Sequence, residues 1–533
     1  MSTYYVENFG CRATQADGAA LERQFEQRGL SRATTPAQAS VVVLNTCTVT
    51  AAADQDARAA IRRVRRENPE AQIVVTGCYA QRAPNEIAAL SGVSLVVGNS
   101  HKHQLAEIVT TQMRTSDVGP QASDFAFVPL AMLGAIASSA VQSETDSRWT
   151  PKPDVRSPAQ HPGPTTNDQR PIYVSDIFAH TELQAAPVFD VTAGNEHART
   201  RPNLKVQDGC DNRCSFCVIP SVRGQSRSLP IDQVLVEVNA LVNSGYREVV
   251  ISGINLGRWG RDLSADRLPA SGFRTNITGS ENAFRQPKAE TRKPTFENLI
   301  CAILAETTLE KLRISSVEPM DWTDELISLV ASSPRIAKHA HIPLQSGSDA
   351  VLRRMHRKYR PWHYREKIEK IRAAMPTAAI GADVMVGFPG ETTAEFEATR
   401  RMIESLPFTY LHVFTYSARP GTPAASLTNQ VPVHIARDRN KILRELAEEK
   451  KHAFMRTFIG KKLEAITLNS CGAGTLSREG ATKFTPRSME PFTEALTDNY
   501  QKLRLRGHHA PNQWLRAQVE DVLNDALTGA TTG

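Results

Sequence analysis

Cysteine is scarce in this chain, with 8 residues in 533. That is far too few for a disulfide scaffold, and it fits a reducing compartment, where clustered cysteines mean metal or catalysis. Charge of one sign is also lacking. Lys and Arg number 63 against 56 for Asp and Glu, a formal net charge of +7. This leans only weakly towards an anionic partner. Long apolar runs are missing too. The uncharged apolar stretch 125–141 (FAFVPLAMLGAIASSAV) is short for a bilayer and is interrupted by Pro129 and Gly134. It is expected to be a loosely packed insert rather than a membrane span. The opening MSTYYVENFGC lacks a basic stretch followed by an apolar run, so no secretory leader is expected and a cytoplasmic location is.

What is present is ordered in blocks. Within 1–110, VVVLNTC (41–47) and QIVVTGC (72–78) are short β-branched runs, and ADGAALERQFEQRG and DQDARAAIRRVRREN have helical character. Strand–helix alternation predicts a parallel α/β domain with functional groups beyond the strand carboxyl ends. Residues 111–198 break the pattern with a Pro-rich stretch, PKPDVRSPAQHPGPTTNDQRP, that predicts a partly disordered connection, although IYVSDIF within it has ordered character. From 199 to 445 the alternation returns through EVVISGINLG, KLRISSVEP, AHIPLQSG, AIGADVMVGFPGE and YLHVFTYSARPGT. That predicts a partial α/β barrel with its site on the loops after the strands, interrupted by a polar insert at 263–295. Residues 455–533 hold short strands joined by polar turns, a small β-domain.

Cys210, Cys214 and Cys217 lie within VQDGCDNRCSFCVIP. Structural zinc sites bring four ligands, and this run offers three thiols with no histidine nearer upstream than His197. A [4Fe–4S] cluster takes one protein ligand per iron, so three cysteines leave one iron open to an outside ligand. A catalytic zinc with an open position is the alternative. Cys11, Cys47 and Cys78 each follow a strand candidate and are placed to converge. Each taken singly is as well explained as a small buried hydrophobe.

The C-x-x-x-C-x-aromatic-C run with Phe216 before its last cysteine resembles the radical S-adenosylmethionine (SAM) signature. The trio in NFGCRATQADG, LNTCTVT and VVTGCYAQR, together with HIPLQSGS (341–348) and DVMVGFPGET (383–392), resembles the methylthiotransferases of that superfamily. The last domain resembles a TRAM module. The resemblance spans nearly the whole chain except 111–198 and 263–295. It implies two [4Fe–4S] clusters, one held by Cys210, Cys214 and Cys217 and one by Cys11, Cys47 and Cys78. It also implies SAM bound at the open iron of the first cluster, and a sulfur carried by the second. A reductant and a sulfur donor are required, and the sequence identifies neither. Among the branches of the family, NTCTVT, VVVTGCYAQ, VQDGCDNRC and RGQSRS are most similar to the one acting on threonylcarbamoyladenosine beside the tRNA anticodon. Isopentenyladenosine in tRNA and a ribosomal-protein aspartate are the substrates of the other branches. A non-catalytic iron–sulfur RNA-binding protein is the alternative from another class.

Further candidates surround the first trio. Gly253 in ISGINLG allows close backbone approach to a cofactor, or simply ends a strand. Glu318 is placed to bond a ribose hydroxyl or to be a solvated carboxylate, and Gln345 and Ser346 to meet cofactor or substrate. Arg223 and Arg227 suit a bidentate carboxylate or phosphate partner. Cys301, on an apolar helical stripe, is expected in the core, and Cys471 has no assigned role. Arg58, Arg62, Arg65 and Arg66 share a helical face that fits either RNA or solvent. Tyr500 is a stacking candidate or a core residue. The chain is expected to act as a monomer, with no membrane partner.

Overall fold

The computed structural model describes residues 2–116, 170–179, 183, 187–188, 200–263, 293–469 and 491–532. The 125–141 run, His197, Cys471 and most of the 111–198 and 263–295 segments lie outside the described residues. Among the described residues no helix is long and apolar enough to cross a membrane.

The N-terminal block is a parallel sheet flanked by helices. Its main strands are β1 (Thr3–Asn8), β2 (Val41–Thr46), β3 (Gln72–Gly77) and β4 (Val93–Gly98), adjacent in that order, with Ser31–Arg32 on one edge. Ile172–Tyr173 pairs parallel with β4 on the other edge, so the later piece of the Pro-rich connection completes this sheet. Every residue of β2 is buried, as a continuous apolar run in a two-sided parallel sheet requires. Helix α1 (Arg12–Gln27) follows β1, and α2 (Ala51–Glu67) follows β2, with Thr50 capping its N-terminus. The five-residue α3 (Cys78–Arg82) follows β3.

The central block holds six parallel strands. The first group is β5 (Asn203–Asp208), β6 (Glu248–Gly253) and β7 (Lys311–Ile314), with β6 in the middle. The second is β8 (His339–His341), β9 (Ala379–Val386) and β10 (Tyr410–Thr415). Single parallel bridges, Leu312 to Ile336 and Ser316 to His341, join the two groups into an open barrel. Helices α4 (Ile219–Arg223), α5 (Ile231–Asn243), α6 (Phe296–Glu306), α7 (Asp324–Ser332), α8 (Pro361–Ala374) and α9 (Thr393–Ser405) connect the strands. The strands alternate strictly. Leu204, Val206, Val249, Ile251, Leu312, Ile314, Ala340, Ile380, Ala382, Val384 and Val413 enter one hydrophobic core under the helices. Lys205, Gln207, Glu248, Arg313, His339, His341, Asp383, Tyr410 and His412 therefore face the lumen. Leu263 belongs to that core and Thr295 caps α6 through a capping box, so both ends of the 263–295 insert are built into the barrel.

Helix α10 (Val433–Arg456) then leads to β11 (Lys462–Thr467), β12 (Phe492–Thr497), β13 (Lys502–Arg506), β14 (Trp514–Leu523) and β15 (Ala526–Thr531). These five strands close a barrel in the order β11-β12-β13-β15-β14. The turn after β12 reaches the floor of the central barrel. Arg313 donates to the carbonyls of Asp498 and Thr497 at 3.0 and 3.3 Å and lies 5.5 Å from the Tyr500 ring. That ring is 4.6 Å from His339 and 5.6 Å from Tyr410. Tyr500 is thus a plug in the barrel floor, not an exposed stacking residue, and its φ of +65° is the cost of making the turn.

Candidate active site

The loop carrying Cys210, Cys214 and Cys217 leaves the carboxyl end of β5. Its middle is pinned by Ser215, whose N–H donates to the Met355 carbonyl (3.1 Å) and whose hydroxyl donates to the Arg354 carbonyl (2.7 Å). Phe216 anchors the turn edge-on against Phe388, with ring centroids 6.5 Å apart, at the margin of a small apolar cluster. Donors converge on the sulfurs. The Asn212 N–H is 3.4 Å and the Asn255 Nδ2 3.6 Å from the Cys210 Sγ, and Arg357 Nη1 is 3.3 Å from the Cys214 Sγ. Burial pushes the Cys217 thiol up to about 12, and Cys214 and Cys210 add to the shift, so the three sulfurs sense one another. Without a metal, burial favours the protonated thiols.

The second trio assembles at the ends of three strands. Cys11 is the exposed N-cap of α1, Cys47 follows β2, and Cys78 opens α3. Gly10, at φ +99°, lies so close to Cys47 that a side chain there would sit 2.5 Å from the Cys47 Cβ. Burial, then Cys78 and Cys11, push the Cys47 thiol up to about 11. Asn99 Nδ2 reaches the Cys78 Sγ at 3.5 Å and the Val222 carbonyl at 2.7 Å. Cys78 also packs on Val218 and Val222. Helix α4, which begins two residues after Cys217, therefore touches the second trio directly.

A buried charge cluster holds the two trios together. Arg223 donates to both oxygens of Asp208 at 2.9 Å and to Asp17 at 2.9 Å. Lys205 pairs with Asp17 and, at 2.8 Å, with Asp208, while Lys102 meets Asp17 at 3.0 Å. Burial opposes the Arg223 charge, but Asp17 and Asp208 outweigh it and hold the guanidinium well above its ordinary range. Three cations against two carboxylates leave one positive charge, and the field of Arg223 also reaches Cys78 and Cys11. A second bridge joins Asp54, bound to Thr48, with Arg82 (3.0 Å) and with Arg419 on the loop after β10 (2.9 Å).

The other expected residues fall as follows. Gly253 ends β6, where a Cβ would meet the Gln207 Oε1 at 2.8 Å, so the close approach there is to Gln207. Glu318 is ion-paired with Arg357 and is not a solvated carboxylate. Gln345 adopts φ +60° and leaves its Oε1 buried without a partner. Ser346 bonds Thr399. Arg223 pairs with carboxylates inside the protein. Of the arginine stripe on α2, Arg58 bonds the Tyr79 hydroxyl and Arg65 the Pro69 carbonyl, while the neighbouring Arg63, off the stripe, pairs with Glu7. Arg62 and Arg66 make no such pair among the described residues. Asp17, Asn99, Asn255, Arg357 and Arg419 carry no sequence pattern that marks them, because their partners lie far away along the chain.

The donor sets fit clusters better than a single ion. Ligand sulfurs around one zinc stand about 3.8 Å apart, given Zn–S bonds of about 2.3 Å. Among the described residues the only three Cys, His, Asp or Glu ligand atoms within 4.8 Å of one another belong to Glu448, His452 and Asp525, so both cysteine trios are wider. Buried polar atoms without partners, Asn212 Oδ1, Ser252 Oγ, Asn255 Oδ1 and Gln345 Oε1, lie at the same strand ends and suit a polar cofactor.

Comparison with known proteins accords with this layout. Residues 3–98 match the uncharacterized protein family UPF0004 and residues 204–403 the radical SAM superfamily. The threonylcarbamoyladenosine tRNA methylthiotransferase of Aquifex aeolicus is 31% identical over 87% of this chain and 92% of its own. The Bacillus subtilis protein of the same name is 32% identical over 95% of this chain and 91% of its own. The chain belongs to the radical SAM methylthiotransferase family. A tRNA-2-methylthio-N6-dimethylallyladenosine synthase of Thermobifida fusca is also similar, 30% identical over 88% of this chain and 78% of its own. As a radical SAM methylthiotransferase, this enzyme uses SAM and [4Fe–4S] clusters.

Proposed function

We propose that this methylthiotransferase acts on tRNA and converts N6-threonylcarbamoyladenosine next to the anticodon into 2-methylthio-N6-threonylcarbamoyladenosine. The observation that carries the reading is the pair of three-cysteine sets joined by α4, which starts two residues after Cys217 and packs on Cys78 through Val222. The names of the relatives from A. aeolicus and B. subtilis support the choice of nucleoside. The T. fusca relative keeps isopentenyladenosine as the rival substrate.

In this reading Cys210, Cys214 and Cys217 hold the cluster that binds SAM, and Cys11, Cys47 and Cys78 hold the second. Phe216, Gly253, Glu318 and Gln345 lie on the cofactor side. When bound, the clusters and SAM would supply the radical chemistry at adenine C2, together with the sulfur and the methyl group. The chain's own part is to bind, orient and exclude water. Asn212, Asn255 and Arg357 donate to the sulfurs and stabilise their thiolate form. Arg357 is in turn fixed by Glu318. Asp17 and Arg223 set the spacing between the trios. The target base leaves the loop stack to reach the lumen, and the C-terminal barrel grips the RNA beside it. The enzyme works as a monomer in the cytoplasm.

Anaerobically reconstituted enzyme is assayed on tRNA with and without the threonylcarbamoyl group. Modification only of the threonylcarbamoylated tRNA is the expected result. Equal activity on both, or activity only on isopentenylated tRNA, removes this choice of nucleoside.

A further inference from the structure

Among the described residues, one guanidinium beside the lumen, that of Arg12, has no ion-pair or hydrogen-bond partner. Arg12 is the first residue of α1 and directly follows the exposed Cys11. Its carbonyl accepts from the Asn203 Nδ2 at 3.3 Å, and Asn203 lies on the lumen face of β5. Its own side chain is exposed and meets no carboxylate among the described residues.

The other lumen charges are matched. Glu248 is fully buried between Arg313 at 2.6 Å and Arg201 at 3.6 Å. Asp383 faces His341 at 3.4 Å. Glu248 thus already carries two guanidiniums, and neither it nor Asp383 is paired with Arg12 among the described residues. The opposite wall is aromatic and polar: His341 stacks on Tyr410 at 5.9 Å, and His412 lies 5.5 Å from His341. Burial first, then Arg313 and His341, and only after them Arg12, hold His339 well below the ordinary histidine range; burial and then His341, with a smaller push from Arg12, lower His412 against the pull of Asp383. The Arg12 charge thus reaches across to β8 and β10.

We propose that Arg12 recognises the carboxylate of the substrate's threonylcarbamoyl side chain and thereby selects this nucleoside over one bearing a hydrocarbon group. The proposal rests on the function given above. A guanidinium fork matches a carboxylate bidentately. An isopentenyl group would leave Arg12 covered and unpaired, a penalty that disfavours the wrong substrate. Placement beside Cys11 brings the recognised end of the base to the same side of the lumen as the second trio.

The test uses three anticodon stem–loops, carrying threonylcarbamoyladenosine, its carboxamide analogue without the charge, or isopentenyladenosine. For the wild-type enzyme, kcat/KM and equilibrium binding should favour the carboxylate loop over the carboxamide by about tenfold or more, the size of one charge-assisted hydrogen-bonded contact. Arg12→Gln, with iron content equal to wild type, should lose that factor on the carboxylate loop, mainly through KM and binding, and leave the carboxamide loop unchanged. Arg12→Lys should retain part of the preference. Equal handling of the two loops by the wild type overturns the proposal whatever the variants do. A loss of the same size on both loops assigns Arg12 to a phosphate and also overturns it. If the wild type modifies only the isopentenyl loop, the choice of nucleoside itself has failed. A wild type that acts on the threonylcarbamoyl loop beside an indifferent Arg12→Gln rejects only the role of Arg12.

Discussion

At the scale of single residues, the sulfurs and their donors decide what this enzyme can hold. Two [4Fe–4S] sites correspond to about eight irons per chain. Cys78→Ala and Cys214→Ala are each expected to lower the iron of anaerobically purified protein to about four, measured with acid-labile sulfide. Zinc in place of iron would overturn both cluster sites. Cys78→Ala should keep cleavage of SAM and lose methylthiolation, whereas Cys214→Ala should lose both. The six cysteines were legible in the sequence because their spacing and their places after strand candidates are local features. Arg357 and Asn255 were not, since nothing near them along the chain reveals a thiol 143 or 45 positions away. Glu318 was legible as a strand-end acid, but only the fold shows that Arg357 already occupies it.

At the scale of elements, the turn between β12 and β13 is a structural part of the central barrel. Arg313 is almost wholly buried, and its removal leaves the fully buried Glu248 with only the more distant Arg201. Arg313→Ala is therefore expected to cost about 3 to 5 kcal/mol, the usual size for a buried pair deprived of one partner. Chemical denaturation checks this value. Limited proteolysis should show the C-terminal barrel released first. Tyr500→Ala should act in the same direction, while Tyr500→Phe should be nearly silent, because the ring and not the hydroxyl fills the floor. An unchanged denaturation midpoint in Arg313→Ala would show that the floor contact is dispensable. The strands and most helices were legible from alternation and β-branched runs. The 24-residue α10 carries Lys450, Lys451 and Arg456 on the helix that leads into the C-terminal barrel.

At the scale of the whole molecule, buried ionisable groups set the pH range of the fold. Burial, followed by the charges of Arg313 and His341, holds His339 well below its ordinary value of 6.5. The unfolded chain therefore binds a proton near pH 6.5 that the folded chain refuses, so stability is full above that pH and falls as the pH drops below it. Asp17 follows at lower pH. Burial raises its pKa, but Arg223, Lys102 and Lys205 together hold it well below the carboxylate range. Its contribution is present above about pH 4 and is lost as the pH falls through the depressed value. Urea midpoints measured from pH 7.5 to 5 should decline, and His339→Gln should flatten the upper part of that decline. A flat profile in the wild type would contradict the buried neutral histidine.

The sequence by itself determined the inventory: which stretches become strands, which cysteines stand at their ends, and that each set of three lacks a fourth ligand. These are local consequences of side-chain period and spacing, and they carried the family resemblance. Only the tertiary structure decided what meets what. It placed α4 against Cys78, closed Asp17 and Asp208 around Arg223, turned Tyr500 inward, and left Arg12 beside the lumen without a partner among the described residues. Such pairings depend on contacts between residues separated by tens to hundreds of positions. Burial makes the pairing of Arg223 with Asp17 and Asp208 strong, because an unmatched charge away from water is costly, a cost that the exposed Arg12 escapes.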